Sequence, residues 1–213
     1  MTRVLVIAVH PDDETLGAGG AIQAHVAAGD EVHWFVASQH IPSRLAAEER
    51  HSNINAVREA YGLPSVHDAR WPAARLDAVP VVEIVEEIHA VRLAVRPDIV
   101  YLPYAHDAHS DHRVIAAAAL AACKVFRAPS VKRVLYMETL SETPPGFVPN
   151  WYVPLTAKQV ERKIAIIGMY KGEMQPAPFP RSPEAIRALA TLRGCECGER
   201  WAEGFQLVRG VQA

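Results

Sequence analysis

Two short polar clusters hold the residue types from which a metal-assisted hydrolase is built. The first, His10-Pro11-Asp12-Asp13-Glu14, directly follows a run of apolar residues. The second, His106-Asp107-Ala108-His109-Ser110-Asp111-His112, packs three histidines and two aspartates into seven residues. An imidazole and a carboxylate from one loop, joined by an imidazole from another, make a His2Asp set with a position left open for water. That is the pattern of a catalytic divalent-metal site, since structural zinc sites are closed by four protein ligands. Zinc bound there draws the pKa of its water towards neutrality. The two neighbouring aspartates then offer one ligand and one general base. A lone HPDDE reads equally well as a surface turn, because Pro and Asp favour turns. The second cluster tips the balance towards function, because packing does not explain its density.

Such clusters can cooperate only if the fold brings them together. Residues 3–9 form a continuous Val/Ile/Leu run, which predicts a strand buried on both faces of a parallel sheet. Further strands are expected over 31–37, 66–69, 98–102 and 132–137, and helices over 16–28, 45–61, 81–95 and 112–125. Gly29, Gly62 and Pro97 supply stop signals. This alternation predicts an α/β, Rossmann-like, mostly parallel twisted sheet with helices on both faces. Ligands of such sheets bind beyond the carboxyl ends of the strands, where both clusters fall. After Thr139 prolines punctuate the chain, and two helices are expected, over 156–170 and 183–190. We read this part as a small C-terminal cap (140–213) on the core (1–139), within one domain spanning 1–213.

Composition narrows the function classes. The net charge is −2, with no basic stripe, so a nucleic-acid partner is not expected. No apolar run reaches membrane-spanning length, and residues 3–9 are too short for a secretory signal, which predicts a soluble, cytoplasmic protein without membrane insertion. Cys123, Cys195 and Cys197 lack the second pair of a zinc ribbon and read as incidental thiols. Gly17, Gly19 and Gly20 do not complete a dinucleotide fingerprint, because Ile22 stands at its last glycine position. They are expected to let the first helix pack tightly near the site. Asp111-His112-Arg113 falls short of a two-metal phosphoesterase signature.

The segments Val9-His10-Pro11-Asp12-Asp13-Glu14 and His109-Ser110-Asp111-His112 resemble the paired motifs of the LmbE-like, or PIG-L, deacetylase family. The resemblance covers nearly the whole chain. It implies that His10, Asp13 and His112 hold Zn2+, that Asp12 is the general base, and that His109 stabilises the oxyanion or protonates the leaving amine. It further implies that Asp111 orients a neighbouring histidine. The implied substrate is an N-acetylated amino sugar or its conjugate, hydrolysed to acetate and a free amine. Relatives assemble into dimers, trimers or hexamers, which leaves a homo-oligomer open. The alternative is a non-catalytic metal- or sugar-binding protein on the same fold, and the presence of both Asp12 and His109 argues against it.

Other residues join the candidate site. Arg50 resembles a family arginine that reaches the substrate pocket, although Asn53 stands where the family often has an acid. Glu14 is read either as a contact to the ligands or a substrate hydroxyl, or as an acid complementing a helix dipole. His106 and Asp107 are placed at the substrate entrance, and His40 on the ligand-binding edge. The segment from Phe179 to Phe205 resembles a subgroup of the family. Its Arg181 and Arg193 suit a phosphate or carboxylate of the substrate, or salt bridges to acids of the cap.

Overall fold

The computed structural model describes residues 1–39 and 44–212, with the side chains of residues 44–47 left aside. His40 lies outside the described residues. Among the described residues, seven strands form one sheet in the order β3-β2-β1-β4-β5-β7-β6. The strands are β1 (Arg3–Ala8), β2 (Glu31–Gln39), β3 (Ser65–Pro72), β4 (Ile99–Pro103), β5 (Arg133–Met137), β6 (Trp151–Pro154) and β7 (Ala202–Gly210). The helices are α1 (Asp13–Ala27), α2 (Arg44–Tyr61), α3 (Val81–Val95), α4 (Ser110–Ala122), α5 (Ala157–Ile167) and α6 (Pro183–Cys197).

β1 lies inside the sheet between β2 and β4, parallel to both. Its side chains alternate between two apolar layers, as the two-residue period of a strand requires. Val4, Val6 and Ala8 meet Leu16 and Ile22 of α1, Ile54 of α2 and Ile164 of α5. Leu5 and Ile7 meet Ile84 and Ile88 of α3 and Ile115 of α4. All five β1 residues from Val4 to Ala8 are fully buried, which accounts for the unbroken apolar run.

The chain leaves β1 towards β2 on one side and returns to β4 on the other. The order therefore reverses between β1 and β4, and a crevice opens beyond their carboxyl ends. The loops after these two strands carry the two polar clusters. α1 starts at Asp13 rather than 16, so the HPDDE loop runs straight into its first turn. The helix is kinked at Ala18, whose φ and ψ are −143° and 15°. Gly17 packs against β5 so closely that a Cβ there would come within 2.8 Å of Met137 Cβ.

The segment after Thr139 departs from expectation. Besides α5 and α6 it contributes two strands, β7 antiparallel to β5 and β6 antiparallel to β7. Thr156 and Gln159 form a capping box for α5, and Ser182 caps α6 ahead of Pro183. Lys163 of α5 donates to Glu203 of β7 at 2.7 Å and to Leu16 O at 2.8 Å. Glu203 also accepts the N–H groups of Gly20 and Ala21, each at 2.7 Å, just beyond the kink. A buried ion pair thus ties the end of the chain to the helix that begins at the candidate site.

Candidate active site

His10, Asp13 and His112 converge, with one ligand atom from each lying within 4.8 Å of the others. Asp13 Oδ2 is the centre of this group. It lies 3.2 Å from His112 Nε2 and 3.6 Å from His10 Nδ1, and it accepts the His10 backbone N–H at 2.8 Å. Each imidazole has a second carboxylate on its far nitrogen. Asp111 Oδ2 is 3.3 Å from His10 Nε2, and Asp107 Oδ2 is 3.3 Å from His112 Nδ1. A carboxylate on one ring nitrogen fixes the tautomer and presents the other nitrogen's lone pair to a cation. Asp111 is itself held by the N–H groups of Ala74 at 2.6 Å and Leu76 at 3.1 Å. Asp107 accepts the His109 N–H at 3.0 Å. It is buried behind His112, which corrects its placement at the substrate entrance. The sequence signal was its position in the same dense cluster, but spacing alone did not show which histidine it faces.

The donor set fits a divalent metal. His112 is 1% exposed, and neither ring nitrogen makes an aligned hydrogen bond despite the close carboxylates. For Nε2 that is the expected arrangement of two ligand atoms, side by side, aimed at a third point rather than at each other. The charges point the same way. Burial pulls His10 down, but Asp111 and Asp13 outweigh it and push its pKa up to about 9. Burial likewise opposes His112, yet Asp13 and Asp107 push it up to about 10. Burial would raise Asp13, but His112 and His10 hold it well below the usual carboxylate range. The site thus attracts positive charge, and a metal would take the place of the two imidazole protons.

Asp12 is at the N-cap of α1 with φ 131° and ψ −30°, a backbone region that side chains rarely adopt. Its carbonyl accepts the N–H groups of Thr15 at 3.0 Å and Leu16 at 2.8 Å. Its own N–H donates to Glu14 Oε2 at 3.1 Å. Burial and the neighbouring Asp13 raise the Asp12 pKa well above the ordinary range, with Arg181 pulling the other way. His109 caps α4, its Nδ1 accepting the Asp111 N–H at 3.1 Å. That bond assigns the His109 proton to Nε2. Burial, then His10 and His112, lower its pKa, so this imidazole is neutral near pH 7.

Asp12, His10 and His109 line a cleft of about 200 Å³ with Pro11, Arg50, Ala73, Glu142, Glu173 and Arg181. Arg50 stands on its wall, 3.8 Å from Glu173. Glu14 does not reach the cleft. It is 0% exposed and accepts from Thr15 Oγ1 at 2.5 Å and from Tyr170 OH at 2.9 Å, besides the Asp12 N–H. This corrects the expectation of a substrate contact: the acid braces the Asp12 backbone from behind, and burial pushes its pKa up to about 7. Arg193 is also elsewhere, paired with Glu138 at 2.7 and 2.5 Å and with Glu196 at 2.6 Å. The cysteines are free, Cys123 being buried.

Residues 5–123 match the PIG-L family, described as GlcNAc-PI de-N-acetylase. The diacetylchitobiose deacetylase of Thermococcus kodakarensis is 25% identical, covering 98% of this chain and 84% of its own. The N,N'-diacetylchitobiose deacetylase of Pyrococcus horikoshii, solved with an inhibitor, superposes with a TM-score of 0.79 at 20% identity, over 98% of this chain and 84% of that one. The 4-carboxy-2-hydroxymuconate hydratase of Pseudomonas putida KT2440 superposes with a TM-score of 0.77 at 19% identity, over 100% of this chain and 98% of that one. The two superpositions show a common fold that carries more than one reaction, so the reaction must be argued from the site. The family match spans more than half of the chain and contains both polar clusters, so this protein belongs to the PIG-L family.

Proposed function

We propose that the protein is a zinc-dependent deacetylase of an N-acetylated amino sugar or its conjugate, releasing acetate and a free amine. The observation that carries this reading is the convergence of His10, Asp13 and His112 beside Asp12 and His109 at one cleft. A zinc ion held by the three ligands would supply Lewis acidity towards an amide carbonyl and acidify water at the centre.

The protein's own groups do the rest. Asp12 is the base that takes the proton of the attacking water. Its raised pKa suits it to keep that proton and then deliver it to the departing nitrogen. His109 presents Nε2–H, because its Nδ1 is occupied as an acceptor. We therefore assign it as a neutral donor to the developing oxyanion rather than as an imidazolium. Asp111 and Asp107 orient His10 and His112, and Arg50 is a contact for sugar hydroxyls. No helix among the described residues is long and apolar enough to cross a membrane. The names of the relatives support the sugar: two are diacetylchitobiose deacetylases.

The test is amine release by the zinc-loaded protein from N-acetylglucosamine, diacetylchitobiose and lipid- or thiol-linked conjugates. Turnover of at least one substrate, abolished by Asp12→Asn and by chelation, is expected. Tight binding of these sugars without amine release would instead favour a non-catalytic binding protein.

A further inference from the structure

Among the described residues, one cationic side chain touches Asp12, and it lies 169 positions further along the chain. Arg181 Nη1 donates to Asp12 Oδ2 at 2.6 Å. The same nitrogen reaches Glu173 Oε2 at 2.9 Å, Nη2 reaches Glu142 Oε1 at 3.1 Å, and Nε donates to Ser141 Oγ at 3.1 Å. These partners come from three separate segments. The backbone beside Arg181 is anchored as well. It precedes Ser182, the buried N-cap of α6, whose N–H donates to Phe179 O at 2.9 Å. The guanidinium is held by these side chains, and the backbone next to it by the start of α6.

We propose that Arg181 is a positioning residue of the active site, holding Asp12 through Oδ2 so that Oδ1 is the oxygen that handles the proton. This rests on the deacetylase reading above. Among the described residues, the hydrogen bond recorded to the Asp12 carboxylate falls on Oδ2, which leaves Oδ1 for the proton. A planar fork with every nitrogen engaged holds direction better than a flexible ammonium does. The same geometry argues against Arg181 as a receptor for a substrate phosphate or carboxylate. Three carboxylates already surround it, and an incoming anion would meet them.

The experiment compares Arg181→Ala and Arg181→Lys with the wild type as zinc-loaded full chains. Arg181→Ala should lower kcat by about 100-fold, the scale of a small misplacement of a reacting group, with KM and zinc content unchanged. Methylguanidine in solution should restore part of the lost kcat to Arg181→Ala, which repair of a folding defect would not mimic. Arg181→Lys should stay folded and still be slow. A raised KM with intact kcat would overturn the proposal in favour of substrate binding, and unchanged kinetics would overturn it outright. If the wild type deacetylates none of the sugars, the deacetylase reading itself has failed. Thermal melts of Arg181→Ala, Asp12→Asn and the double variant then decide the contact: shifts well short of additive support it, and additive shifts overturn it.

Discussion

Replacing Asp12 by glycine should give a more stable protein than replacing it by alanine, although both lose activity. Both changes remove the same carboxylate and its ion pair with Arg181, so these effects cancel in the comparison. What differs is the backbone at φ 131°. A side chain held in so sparsely populated a region costs about 1–3 kcal/mol. Glycine avoids most of that cost but loses about 0.5–1 kcal/mol through its freer unfolded chain. The net advantage of glycine is then about 1 kcal/mol, or about 2–4 °C in Tm for a domain of this size. Thermal melts of the two metal-free variants measure it directly. A Tm for Asp12→Ala equal to or above that of Asp12→Gly would show that residue 12 is not strained, and the link between the strained turn and the proposed base would fall.

Other consequences follow from the same geometry. His10 and His112 have folded values of about 9 and 10, above the ordinary 6.5, so the metal-free protein holds extra protons. Their stabilising contribution is complete below pH 6.5 and is lost as the pH rises through these values. Metal uptake displaces the same protons, so competition titrations should show zinc affinity climbing from pH 6.5 to about 9, and a flat profile would contradict the assigned ligands. Asp107→Asn should weaken zinc affinity by about 10–100-fold while leaving the fold intact, as loss of a carboxylate behind a ligand does; unchanged affinity would remove Asp107 from the site. Lys163→Met should cost about 3–5 kcal/mol in denaturant unfolding, because it leaves Glu203 buried without its cation. A loss under 1 kcal/mol would mean that the pair does not hold the chain end to α1.

The parallel half of the fold was legible because its signals are local. α3 spans Val81–Val95, as the apolar spacing and Pro97 predict, and β1 announces itself by an unbroken apolar run. β6 and β7 were missed for equally local reasons. β6 has four residues and ends on Pro154, which only an edge strand tolerates, and β7 contains Gly204 and ends on Gly210. Their strand character comes from pairing with β5 and with each other, which no short window contains. The site divides in the same way. The two clusters were visible because each is dense in sequence. The bracing of Asp12 by Glu14 and Tyr170, and its contact with Arg181, join residues far apart in the chain, so only the fold reveals them. Glu14 was left open between two readings because an acid in the first turn of a helix, next to candidate metal ligands, has the same sequence signature whether it faces the cleft or the core.

The central claim is that His10, Asp13 and His112 hold the metal while Asp12 stands beside it as the base. Metal content per chain, measured by inductively coupled plasma mass spectrometry after zinc loading and desalting, tests it most directly. One zinc is expected in the wild type, one in Asp12→Asn, and none in Asp13→Ala or His112→Ala. Zinc retained without His112, or lost with Asp12→Asn, would contradict the assignment of ligand and base.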